Sequence, residues 1–577
     1  MSISVEPADA GYQSDGVTPA HATYRATGTF AQGRTEDITA RASFSVDDLS
    51  LGSFTGADLT TGVDHGGVTG VSAVLGGVVG RARYTLSVHR IFNDPGSTNL
   101  PPQLPTLFGK PPVAARAPQL VYPNDGVLVP PNLGQLEIHF LPGANNTVFE
   151  LTVSGDFDEL KVYLRCAVPL NGGCVYQPDP AVWGALAAGN RGRTVTFVLK
   201  GTDDTGSEVG ESAPLKVAFS FDDILGGLYY WTTTTKSIMR FDFAAPAMTS
   251  AQKFVDAAIT SNPSGCIGCH ALSRDGKKMV VEAEGSTDGR IAIVDVASKM
   301  PVVPFPSPNK SFFESWSPDS TRFVGVDDRG TDFNLRIFDG ATGMLVESIM
   351  NTGTAARATD HPDWSADGNT IAYASVTREG PRAVSLQWPT KGAIRFVQRT
   401  ANVWGAAVEV APFVSGKNRF YPAIAPSGEY LVFEESTCAS GETGLDCDAD
   451  TDPTGTLFAA KLEANATLVP LARANSPGVR DNGKTALTNT FPKWSPFNFH
   501  RTGELGSRLQ WLTFSSTRNY GLRAPNGLLW LWMVAVDPDQ VSSAADPSFP
   551  AFCLPFQDLS TSNHIAQWTE VVIPSVN

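Results

Sequence analysis

No apolar run in this chain of 577 residues approaches a membrane span; the stretch GLLWLWMVAV at 527–536 is about half of one. Charge is scarce too, at 18% of residues, and no Lys/Arg cluster interrupts a net charge of −15. A nucleic-acid partner is therefore not expected, whereas a basic protein could dock on such a surface. The opening MSISVEPADA has neither a basic n-region nor an apolar h-region, so no leader peptide is visible. Hydrolytic signatures are missing as well: there is no Gly-x-Ser-x-Gly, no His-Glu-x-x-His and no phosphate-binding glycine loop.

What is plentiful is glycine (54) and proline (41), which suits short strands and many turns. The length exceeds one hydrophobic core and predicts about three domains. The seven cysteines divide by spacing. Cys166 and Cys174 flank one Gly-containing loop, Cys438 and Cys447 another, and each pair is expected to close a local disulfide. Disulfides imply an oxidising compartment, so the protein is expected to be exported, periplasmic or at the cell surface, its leader absent from this sequence. Cys266 and Cys269 form a separate pair, and Cys553 is left over.

Residues 1–92 read as a β-sandwich, with ATYRATGTF, ASFSVDD and RARYTLSVHRI alternating at period two. Residues 93–118 are proline-rich and read as a semi-rigid linker. A second sandwich is expected over 119–222, from strands such as LGQLEIHFL, ELKVYLRCAV and TVTFVLKG. From 223 to 577 the texture becomes repetitive. Six segments share one pattern, among them ESWSPDSTRFVGVD, PDWSADGNTIAYAS and PAIAPSGEYLVFEE. The residue closing the shared motif is Leu272, Trp316, Trp364, Ile424, Trp494 and Trp568, at intervals of 44, 48, 60, 70 and 74. Those intervals suit four-stranded propeller blades with insertions. LYYWTTTTKSIMRFDF lacks an inner strand and the C-terminal QWTEVVIP lacks outer ones, so the two are expected to complete one blade and give six. The fold class is thus all-β: two sandwiches followed by a six-bladed β-propeller.

At SWSPDS and HPDWSADG the chain resembles the repeats of TolB-type propellers, over about 350 residues; DITARASFSVDD resembles bacterial Ig-like domains. These resemblances imply fold, not chemistry.

The chemistry-bearing motif is SNPSGCIGCHALSRDGKKM, 261–279. Cys266-x-x-Cys269-His270 is the pattern by which c-type cytochromes attach haem: two thiols add across its vinyl groups and the histidine is held under the iron. Aligning the repeats sets His270 against Pro362, Pro422 and Pro492, and Cys269 against His361, Tyr421 and Phe491. The motif then enters an innermost strand at one end of the central channel. One haem c is expected there, with His361 or, two residues off, His564 as candidate sixth ligand. His500, Met279 and Met300 are more distant candidates; His21, His65, His89 and His139 fall in the sandwiches. CIGCHALSRDGK resembles a recurring fusion in bacterial secreted proteins, where the haem motif leads into a TolB-type blade. A disulfide or half a zinc site remains open for the two cysteines.

LDCDADTDPTG puts Asp446, Asp448, Asp450 and Asp452 at alternate positions, a calcium-like pattern. Pro453 and Ala459 stand where an EF-hand loop needs Gly and Glu, so a solvated acidic loop is expected instead. Electron transfer to a redox partner is the expected task. A haem-dependent oxidoreductase with an open sixth site, or a cell-surface scaffold with structural cysteines, is the alternative.

Overall fold

The computed structural model describes residues 1–245, 249–260, 267–268, 270–282, 289–303, 309–327, 332–377, 389–437 and 448–574. It separates into two compact units, one of residues 1–126 and 130–222, the other of 127–129 and 223–577.

In the first unit the long strand Val78–Asn93 is the spine. It pairs antiparallel with Gly67–Leu75 and parallel with both Asp9–Ser14 and Asp158–Leu164. The second parallel pairing carries one sheet across both expected sandwiches, onward through Val148–Ser154, Thr194–Thr202 and Leu215–Phe219. Tyr24, Leu59, Val71, Tyr84 and Leu86 fill one core, and the buried Tyr84 hydroxyl donates to the Leu51 carbonyl at 2.8 Å. The proline-rich stretch is packed rather than spanning open solvent: Leu104, Leu107 and Phe108 are buried against Val148, Tyr163 and Val209. Cys166 and Cys174 are disulfide-bonded. Cys438 and Cys447 lie outside the described residues.

The second unit is a β-propeller, and among the described residues it has six successive sheets. Their innermost strands are His270–Leu272, Phe312–Trp316, Ala358–Trp364, Asn418–Ile424, Thr490–Trp494 and Asn563–Thr569. Counting blades from His270, the sixth closes the ring. Its inner strand, Asn563–Thr569, pairs with Gly227–Thr232 from the start of the unit, and Ser237–Asp242 and Gln252–Asp256 lie outside that.

The repeat has a local cause. In the first three blades a serine follows the motif position, and its hydroxyl donates to an aspartate two residues on: Ser273 to Asp275 at 2.7 Å, Ser317 to Asp319 at 2.6 Å, Ser365 to Asp367. The same serine oxygen accepts the amide that starts the next strand, from Lys278, Arg322 and Thr370. The turn needs a left-handed residue, supplied by Gly276 and Gly368, and by Ser320 in the second blade. The tryptophans then join blades: the Trp316 indole donates to the Ala271 carbonyl and that of Trp494 to Ala423, each at 2.9 Å. Both bonds reach the inner strand of the preceding blade and are buried, where an unmet carbonyl is costly.

Candidate functional site

The inner strands are not regular. Three residues before the motif position, Phe313, His361, Tyr421, Phe491 and Ile565 all have positive φ, between 44° and 56°. None is glycine, and each such residue costs about 1–3 kcal/mol. Pairing slips at the same level, between Phe312 and Ser315, Asp360 and Asp363, Phe420 and Ala423, and Thr490 and Lys493. These are β-bulges, and a bulge re-aims a side chain. Here the re-aimed rings meet: His361 stacks on Tyr421 with centroids 3.8 Å apart, Phe313 meets His361 at 4.4 Å, and Phe491 meets Tyr421 at 4.6 Å. An aromatic collar results at one end of the channel. The repeat alignment gives Cys269 the equivalent position in the first blade; Cys269 and Cys266 lie outside the described residues.

His270 follows at that level and is 2% exposed. Its Nε2 lies 3.4 Å from the Tyr229 carbonyl, and its Nδ1 has no hydrogen-bond partner among the described residues. Burial pushes its pKa down to about 4, with a smaller push from Lys493. His564 is buried over Trp231, centroids 4.8 Å apart, and neither ring nitrogen has a hydrogen-bond partner among the described residues. Burial pushes it down to about 4 as well, and the charge that His270 would carry opposes its protonation. The two candidate ligands are thus neighbouring, neutral imidazoles. His361 is engaged otherwise: it is 3% exposed, stacked in the collar, with Nε2 3.5 Å from the Asp360 carboxylate.

The other candidates fall away from the channel. His500 sits on a short strand paired with Arg508–Leu509, and Met279 is buried in the core between blades. Met300 lies on the outermost strand of its blade and is 63% exposed. His139 is buried in the first unit, 2.7 Å from Glu137. The acidic loop is not solvated as expected. The Tyr421 hydroxyl donates to Asp450, and Asp452 is buried, accepting from the amide and hydroxyl of Thr454. Asp446 lies outside the described residues, and among those described no three His, Cys, Asp or Glu side chains are grouped to hold a metal.

A residue missed by the sequence reading is Glu314, whose carboxyl burial pushes up to about 7. With His270 and the collar it lines a cavity of about 30 Å³. That holds a water molecule and no macrocycle. The donor chemistry fits a haem iron, since His270, which follows Cys-x-x-Cys in sequence, and His564 are unprotonated imidazoles; the seat of a haem would lie outside this cavity.

No family model and no curated protein matches the chain. Among solved structures it is similar to a protein described as TolB from Agrobacterium tumefaciens, at 19% identity over 42% of this chain and 78% of that one, TM-score 0.29. It is similar to TolB from Acinetobacter baumannii at 14% identity, over 66% and 92% of the two chains, TM-score 0.26. A third likeness is to Kuenenia stuttgartiensis hydrazine synthase, at 12% identity, over 60% and 75%, TM-score 0.32. The assignment of the propeller rests on this chain's own sheet order.

Proposed function

We propose that the chain is an exported c-type haem protein that transfers electrons, with Cys266 and Cys269 as the attachment sites and His270 as the proximal ligand. The observation that carries this reading is the pair of buried, neutral imidazoles, His270, which follows Cys-x-x-Cys in sequence, and His564. Bound there, a haem would supply a one-electron iron couple. The thiols of Cys266 and Cys269 anchor it, and His270 presents a ring nitrogen. His564 is the better candidate for the sixth position, because both its nitrogens lack hydrogen-bond partners among the described residues. The collar of Phe313, Tyr421 and Phe491 limits the space beside His270 to about one water molecule. The disulfide Cys166–Cys174 supports an oxidising, periplasmic or cell-surface location, and the net charge of −15 suits a basic redox partner.

Glu314 supports a second reading. A carboxyl with a pKa of about 7 beside a water-sized cavity is poised to hold or give a proton at neutral pH. With the sixth position open, that group would suit a haem-dependent oxidoreductase.

Spectra of the exported holoprotein separate these. His564→Ala is expected to turn low-spin iron high-spin and let it bind carbon monoxide, while His361→Ala leaves it low-spin. A parent protein that already binds carbon monoxide favours the oxidoreductase; a change in His361→Ala alone overturns the assignment of His564.

A further inference from the structure

A second cavity, of about 90 Å³, adjoins the first along the channel, and Lys493 and Gln567 line both. Its walls follow from the repeat. The residue just before the motif position is Ala271, Ser315, Asp363, Ala423, Lys493 and Gln567 in the six blades, and all six line this cavity. Two positions after the motif residue, the second to fifth blades carry Pro318, Ala366, Pro426 and Pro496; the first carries Arg274, which also lines it. The sixth blade carries Glu570, so Arg274 is the one cation among the six residues at this position.

The charges in this wall do not cancel. Among the described residues that line it, Asp363 is the one acid. It is already engaged, accepting from the Ile424 amide at 2.8 Å, facing the Ser315 hydroxyl at 3.4 Å and the Lys493 ammonium at 3.7 Å. Arg274 is half-buried, and its desolvation pushes its pKa down. The charges of Asp363, Glu570 and Asp367 act on it through space, yet among the described residues no carboxylate lies within ion-pair distance of its guanidinium. The Gln567 amide likewise makes no hydrogen bond with the described residues and faces the same space. One guanidinium, one half-compensated ammonium and one amide therefore converge on a polar cavity whose described lining residues sum to a charge of about +1, with Glu570 and Asp367 acting on Arg274 from outside it.

We propose that this cavity binds a small monocarboxylate, with Arg274 as the forked donor and Lys493 and Gln567 as the second and third contacts. The planar guanidinium matches two carboxylate oxygens, which a spherical anion does not offer. The volume sets the size: it is below the roughly 150 Å³ that holds benzene, so an acid of two or three carbons fits and a peptide does not. The inference does not require haem: its principal contact, Arg274, lines this cavity and not the one His270 lines, while Lys493 and Gln567 line both.

Calorimetric titration of the full chain with acetate, at constant ionic strength in chloride buffer, tests it. Saturable binding is expected, weakened roughly tenfold to a hundredfold by Arg274→Gln and partly restored by Arg274→Lys. Lys493→Gln, on another blade, carries the same direction of change if Arg274→Gln does not fold. Absence of saturable heat, or acetate binding that survives both substitutions, overturns the proposal; so does phosphate or chloride displacing acetate at equal concentration.

Discussion

Asp450 shows how much one buried side chain sets. It accepts from Tyr421, yet burial and the charge of Asp448 push its pKa up to about 7, well above the ordinary 3.8. A folded-state pKa above the unfolded value gives stability that is present below pH 4 and lost as pH rises through 7. Asp450→Asn removes that loss. Its urea midpoint, relative to the parent's, is therefore expected to climb between about pH 4 and pH 7 and to level off above that, and a difference that stays flat throughout would contradict the burial argument. The imidazoles run the other way: with folded pKa values near 4 against 6.5, His270 and His564 in haem-free protein favour the fold above pH 6.5 and oppose it as pH falls toward 4. None of this was legible in the sequence. LDCDADTDPTG reads as a solvated loop, because nothing in it announces that a tyrosine on an inner strand reaches across to Asp450.

Among the elements, the inner strand with its serine–aspartate turn is the unit that repeats, and it was the most legible part. Leu272, Trp316, Trp364, Ile424 and Trp494 end their inner strands, and Trp568 stands one residue short of its end. The motif was readable because turn chemistry and a strand-closing aromatic recur together. Ser317→Ala deletes a bond to Asp319 and the acceptor for the Arg322 amide, so a loss of about 1–2 kcal/mol is expected in urea denaturation. Trp316→Phe removes the donor for the buried Ala271 carbonyl and is expected to cost about 1–3 kcal/mol; a neutral result would mean the indole bond does not hold the two blades together. The bulges were not legible, since period-two alternation carries no mark for an inserted residue. Only the recurrence of Phe313, His361, Tyr421 and Phe491 three places before the motif hinted at them. In the first unit, the parallel pairing of Val88–Asn93 with Asp158–Tyr163 joins segments about 70 residues apart, and distant pairing leaves no local signature.

For the molecule as a whole, closure of the ring decides whether the propeller is one cooperative body. The sequence indicated it through two half-blades, and Gly227–Thr232 does pair with Asn563–Thr569. Deleting residues 563–577 would bare the edge that covers Leu228 and Tyr229, both 0% exposed, and calorimetry is expected to lose the propeller's single sharp transition. The same closure sets His564 from the last strand beside His270 from the first blade, which is why the candidate iron site draws on both ends of the repeat. The measurement that tests the central claim most directly is a pyridine haemochrome spectrum. It would be taken on protein exported from a host with a haem c maturation system, with Cys266→Ala/Cys269→Ala as control. A c-type band that the control lacks is the predicted result. A folded, exported protein with no such band would contradict haem attachment, and would leave a propeller scaffold whose two cysteines are structural.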